Sequence, residues 1–103
     1  MSGMKHDQGK PDLSLIPYMA LIHEAEAFMD GERKYGRHNF RKGFKTSRLA
    51  AAALRHVFAY YAGEQVAADS GVHHLGHARA CLAMILQLEH DGAIDDDRHM
   101  GEV

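Results

Sequence analysis

Histidine is in excess in this sequence, with nine among 103 residues and no Trp, and its spacing is where chemistry becomes possible. Between Val72 and His90, His74, His77, Cys81, Met84 and Leu88 recur at steps of 3, 4, 3 and 4. That is the seam spacing of a helix packed against another. Upstream, Leu49, Ala53, His56 and Tyr60 follow steps of 4, 3 and 4. Three imidazoles, His56, His74 and His77, are therefore expected to face inward near one end of a bundle, where they can bind a metal or move a proton. Taken singly, each reads as a core histidine bonded to a carbonyl or to Tyr60; together they read as a site. His73 points about 100° away from His74 and is expected at the surface.

Carboxylates and cations lie close to these histidines in the chain. Glu64 and Asp69 bracket the connection ahead of the His74 and His77 stripe, where a carboxylate can join a divalent cation. Their structural alternatives are helix-end solvation and N-capping. Glu24 shares a helical face with Phe28, Gly31 and Tyr35, whereas Glu26 points nearly opposite, so the two acids cannot serve one site. His23 and Glu26 read as a surface i, i+3 contact. Lys5 and Lys10 sit on a loop containing Gly9 and can meet phosphate oxygens as point charges. No GxxxxGK[ST], GxSxG, HExxH or paired CxxC pattern occurs, which leaves P-loop, serine-hydrolase and standard zinc readings without support.

Three helices are expected to position these groups. The first starts at Pro17 and runs to about Tyr35, with Gly36 as its cap; the second is capped by Thr46 or Ser47 and runs to Ala62. The third is capped by Asp69 or Ser70 and runs from about Val72 to His90. Residues 1–12 and 36–45 read as loops, and no alternating strand pattern occurs. The expectation is one all-α domain over 1–90, a small bundle of three main helices completed by oligomerisation, followed by a frayed acidic tail over 91–103. The seams Leu49/Ala53 and Cys81/Met84/Leu88 are expected to need a partner chain, because a short chain buries little of its own surface.

Charge is uneven. Seven of the 12 Lys and Arg fall between Arg33 and Arg48, a window without Asp or Glu, although the net charge is −2. This reads as an anion-seeking belt, or else as a solvated basic loop. A single Cys81 excludes an internal disulfide, no apolar signal core opens the chain, and no run approaches the roughly 18 residues of a membrane span. A cytoplasmic location is expected, with no membrane partner.

The strings KHDQGKPDLSLIP, KYGRHNFRKG, LAAALRHVFAYYAGE and SGVHHLGHA, in that order, resemble the N-terminal domain family of dATP/dGTP diphosphohydrolases, frequent in bacteriophages. The resemblance spans roughly positions 5 to 90. It implies metal-dependent cleavage of a purine deoxynucleoside triphosphate to the monophosphate and pyrophosphate, similar to all-α MazG-like enzymes, in the host cytoplasm if the gene is a phage's. It picks out Lys5, Asp7, Lys10, Lys34, Tyr35, Gly36, Asn39, Arg55, His56, Glu64, Ser70, Gly71, His74 and His77. The sequence departs from the pattern where Phe40 stands for a Trp and where the EExxE and ExxD motifs of MazG-like enzymes are missing.

Residues and resemblance together yield one expected site. His56, Glu64 and His77 are the candidate catalytic groups; Glu24, Glu64, Asp69, His74 and His77 are the candidate ligands of Mg²⁺ or Mn²⁺, with imidazole favouring Mn²⁺. Lys5, Lys10, Lys34, Tyr35, Asn39 and Arg55 are the candidate substrate contacts, and Phe40 offers a ring to stack on a base. The expected assembly is a homodimer or homotetramer, with nucleic acid an unlikely partner. Two rival readings remain: a non-catalytic nucleotide or nucleic-acid binding module using the basic belt, and an HD-type dNTP phosphohydrolase. The latter needs an adjacent His-Asp pair, available only at His6-Asp7 and His90-Asp91.

Overall fold

The computed structural model describes residues 8–99, and over them the chain is all-α, with no strand. Helix α1 spans Tyr18–Tyr35, α2 spans Thr46–Tyr61 and α3 spans His74–His90; short 3-10 turns occupy Leu13–Leu15 and Asn39–Lys42. Pro17 lies just outside α1 in extended conformation, where its missing N–H costs nothing. At the other end the N–H of Gly36 closes on the Glu32 carbonyl.

The caps of α2 and α3 differ from those expected. Neither Thr46 nor Ser47 caps α2 with its own hydroxyl; the Asp97 carboxylate accepts from the Ser47 N–H at 2.8 Å. The Thr46 N–H donates to the Asp95 carbonyl at 2.9 Å, and the Asp95 N–H donates to the Phe44 carbonyl at 3.0 Å. Residues 93–97 therefore dock on the start of α2 instead of fraying. An acid there satisfies an orphan donor and complements the positive end of the helix dipole. For α3 the cap is His73, whose Nδ1 accepts from the Leu75 N–H at 3.0 Å. His73 is half-buried, with its ring 5.0 Å from that of His23 and 5.2 Å from that of Tyr60, so it is not the surface residue its spacing suggested. Asp69 and Ser70 lie earlier, in the turn, where the Ser70 hydroxyl accepts from the Val72 N–H.

Helix α3 is the axis of the fold, packing on α1 along one side and on α2 along another, while α1 and α2 barely touch. Leu49, Ala53, Cys81 and Leu88 are buried within the single chain, Leu88 completely. Of the seams expected to need a partner, Met84 alone is left half-buried, lining the space between α1 and α2. What stays open is the opposite face of α2, where Leu54, Val57, Phe58 and Tyr61 form an i, i+3, i+4, i+7 stripe, with Tyr61 88% exposed.

The tightest helix contact is at Gly76 of α3. A Cβ placed there would lie 2.4 Å from the His23 carbonyl oxygen of α1, against rigid backbone. Gly76→Ala is expected to destabilise the fold by about 1–3 kcal/mol through overpacking. Urea unfolding will register this as a lower midpoint at unchanged slope. An unchanged midpoint would mean that α1 and α3 can part at no cost.

Candidate active site

Because α3 holds α1 and α2 apart, a cleft of about 740 Å³ opens between them. Glu24, Phe28, Asp30, Lys34 and Tyr35 of α1 form one wall; Leu49, Ala52 and His56 of α2 form the other. His77, Met84 and Gln87 of α3 lie between, and residues 36–41 and Phe44 complete the rim. The rim is shaped by backbone. His38 sits in the left-handed region at φ 60 and initiates the turn Asn39–Lys42, an uncommon conformation for a residue with a Cβ. Gly43, at φ 112, passes so close to Ala93 that a Cβ would meet its carbonyl oxygen at 3.0 Å. These bends place the Phe40 ring 5.8 Å from that of Phe28, with the Arg41 guanidinium 5.1 Å above Phe40.

On the α1 wall an acidic group missed in the sequence stands at the centre. Asp30 is buried, and its carboxylate accepts from Lys34 Nζ at 3.1 Å and from Arg33 at 3.3 Å. The same Lys34 Nζ reaches Asp69 at 3.3 Å, so one ammonium bridges two carboxylates. Hydrogen bonds to Asp30 and then Asp69 hold Lys34 above the usual lysine range, and Lys34 in turn holds Asp69 below the usual carboxylate range. The available signal was spacing: His23, Ala27, Asp30 and Lys34 follow steps of 4, 3 and 4, which put a carboxylate on an inward stripe.

On the other side the histidines form a connected chain. Glu64 Oε1 lies 2.6 Å from His74 Nε2, and His74 Nδ1 lies 2.9 Å from His56 Nδ1. The His56 ring stacks on that of His77 at 4.6 Å, and His77 Nε2 lies 2.8 Å from the Ser70 hydroxyl. Burial, then the neighbouring His77, His74 and Arg55, push the pKa of His56 down; burial does the same to His77 against the opposing pull of Asp30 and Asp69. Both rings are thereby kept neutral in the range where a base is useful.

The structure sorts the expected site residues. His56, His77, Glu24, Asp69, Lys34, Tyr35 and Asn39 all line the cleft. Glu64 and His74 engage each other behind it, and Glu24 is ion-paired with Arg79 at 3.2 Å. Among the described residues, no three His, Cys, Asp or Glu side chains converge as a ready-made metal cage. Arg55 and Lys10 are exposed and do not line the cleft; Lys5, His6 and Asp7 lie outside the described residues. Four belt cations, Arg33, Lys34, Arg37 and Arg41, are ion-paired with Asp30, Asp69, Glu32 and Asp91. The belt is thus less free for anions than its sequence implied. No helix among the described residues is long and apolar enough to cross a membrane.

The family model described as dATP/dGTP diphosphohydrolase, N-terminal, matches residues 1–98. The chain belongs to this family. A dATP/dGTP diphosphohydrolase from Salmonella phage PMBT28 is 39% identical over 98 residues, covering 95% of this chain and 33% of the relative. The chain therefore spans about a third of the length of the curated relative it matches. No solved structure matches it. Within this diphosphohydrolase N-terminal family, the bridged Asp30–Lys34–Asp69 group and the histidine chain are the polar features that the fold gathers at the cleft.

The depressed histidines contribute to the acid stability of the domain, as do Asp69, Asp91, Asp96 and Asp97 at lower pH. His56, His73 and His77 all titrate below the ordinary 6.5 when folded. As pH falls, the unfolded chain takes up these protons first, so their contribution is complete above pH 6.5 and is lost on acidification towards the folded values. Melting temperature is expected to hold above that pH and decline below it, with a shallower decline in His77→Gln. A melting temperature that rises on mild acidification would contradict the buried neutral assignment.

Proposed function

We propose that the cleft binds a purine deoxynucleoside triphosphate and that the domain hydrolyses it to the monophosphate and pyrophosphate. The observation that carries this reading is one cleft uniting an aromatic and amide rim, a cation bridged by two carboxylates, and a neutral histidine, in a chain of the diphosphohydrolase family. Phe40 and Tyr35 offer faces on which a base can stack, and the Asn39 amide both donates and accepts at a base edge. Lys34 lies where phosphate charge would enter. Arg37 and Arg41, held only by surface ion pairs of little net worth, can turn towards the same charge.

A divalent cation fits this wall. Asp69, the exposed partner of Lys34, and Glu24 line the same cleft and would hold the ion while Asp30 keeps Lys34, and oxygen donors suit Mg²⁺ or Mn²⁺. Such ions are commonly held by one or two carboxylates plus substrate phosphates. When bound, the ion supplies charge neutralisation on the phosphates. The chain's own groups supply the rest: Asp30 positions Lys34, Lys34 stabilises charge that develops on the leaving oxygen, and the histidine wall accepts a proton from water.

The active unit is a homodimer or homotetramer in which a second copy covers the α2 stripe of Leu54, Val57, Phe58 and Tyr61. Helix α2 is apolar around most of its surface, and a helix of that kind is normally buried on all sides. For a protein of phage type the place of action is the host cytoplasm.

Incubation of the purified chain with each dNTP and Mn²⁺ or Mg²⁺ is expected to yield dNMP and pyrophosphate, with dATP and dGTP preferred. Lys34→Ala and Asp30→Asn should each lower kcat/KM more than about tenfold, about 1.4 kcal/mol of lost transition-state stabilisation, while Lys45→Ala stays near wild type. Light scattering of the same sample should give a multiple of 11.5 kDa. Release of triphosphate and nucleoside would instead support the HD-type reading, and saturable dNTP binding with no turnover would support a binding module.

A further inference from the structure

His74 is one of three buried polar or charged side chains among the described residues, and both of its ring nitrogens are engaged by other side chains. Nε2 faces Glu64 Oε1 at 2.6 Å, and Nδ1 faces His56 Nδ1 at 2.9 Å. Two Nδ1 atoms at that distance share one proton, because a neutral imidazole carries a single N–H. Which ring carries it is decided at the other end of the chain. A carboxylate accepts and does not donate, so a neutral His74 presents Nε2–H to Glu64 and leaves Nδ1 as an acceptor. His56 must then donate from Nδ1, and its own Nε2 is left with a lone pair on a ring that lines the cleft.

We propose that Glu64 and His74 form a positioning pair that locks His56 in the Nδ1–H tautomer, so that the free Nε2 is the base of the cleft. This rests on the hydrolytic reading above and gives it a residue-level assignment. In the reaction an O–H bond of water breaks and its proton goes to His56 Nε2. The water oxygen bonds to phosphorus, and the α–β bridging P–O bond breaks with its electron pair leaving on pyrophosphate. His56, now an imidazolium, keeps its Nδ1–H directed at His74, whose Nε2–H remains on Glu64, and then returns the extra proton to the leaving pyrophosphate or to solvent. The stacked His77 ring, 15° from parallel with that of His56, restrains its tilt. Glu64 and His74 touch neither water nor phosphate, so they position the base and are not themselves catalytic residues.

The tautomers can be read directly. In the ¹⁵N-histidine-labelled chain, two-bond imidazole ¹H–¹⁵N correlation spectra at neutral pH are expected to show His56 protonated on Nδ1 and His74 protonated on Nε2. A glutamine at position 64 both donates and accepts, so Glu64→Gln should release the lock, and a substantial Nε2–H population of His56 should appear. In the same variant kcat should fall at least about tenfold with KM within about twofold, the split expected when a transition-state function is lost and binding is not. Glu89→Gln, on the exposed side of α3, serves as the control and should change neither. Wild-type His56 protonated on Nε2 overturns the positioning pair even if dNTPs are hydrolysed. Tautomers left unchanged by Glu64→Gln, or a rise in KM at constant kcat, overturn it as well. A wild type with the expected tautomers and no dNTP hydrolysis overturns the hydrolytic reading, and with it the base role of His56.

Discussion

The approach of α3 to α1 at Gly76 is the contact on which the cleft depends. With no side chain at that position, α1 settles against α3 with the His23 carbonyl over bare backbone, and Ala27 and Ala80 continue a seam of small residues. α2 packs on another side of the same helix through Leu49 and Ala53. One helix serving two partners keeps those partners from closing on each other. The space left between them is bordered by residues 36–41 and Phe44 and lined also by His56 and His77.

Placing polar groups at that inner end has a thermodynamic cost, and the structure offsets it by bonding each group to the next. His74 would be an expensive buried ring if either nitrogen were left without a partner; Glu64 and His56 take one each. Asp30 would be an unpaired buried carboxylate; Arg33 and Lys34, one turn ahead on the same helix, neutralise it. The two networks approach each other across the cleft, one rich in charge and one neutral. That division suits a reaction in which phosphates are held on one side and a proton is taken on the other.

Much of this was legible in the sequence, for identifiable reasons. Heptad-like spacing located α2 and α3 and put His56, His74 and His77 inside, because a 3.6-residue period is a strong signal in apolar stretches. Gly36 marked the end of α1 through its backbone freedom. The caps of α2 were not legible, since Asp97 lies 50 residues from Ser47 and no local pattern reports a contact made only when the chain folds back. His73 was misplaced because helical angles do not hold for a residue standing just ahead of the first turn. Asp30 was overlooked because Gly31 and the flanking charges Glu32, Arg33 and Lys34 made its neighbourhood look like a solvated face. The outer stripe of α2 was not singled out, whereas Leu49, Ala53, Cys81 and Leu88, expected to need a partner, are buried within the single chain.

Nucleotide binding in the α1–α2 cleft is tested by amide and side-chain chemical-shift mapping with a non-hydrolysable dGTP analogue. The expected result is saturable shifts at Lys34, Tyr35, Asn39, Phe40, His56 and His77, with Leu54 and Tyr61 on the far side of α2 unmoved. Shifts confined to the outer face of α2 or to the docked segment 93–97, with the cleft residues silent, would contradict it.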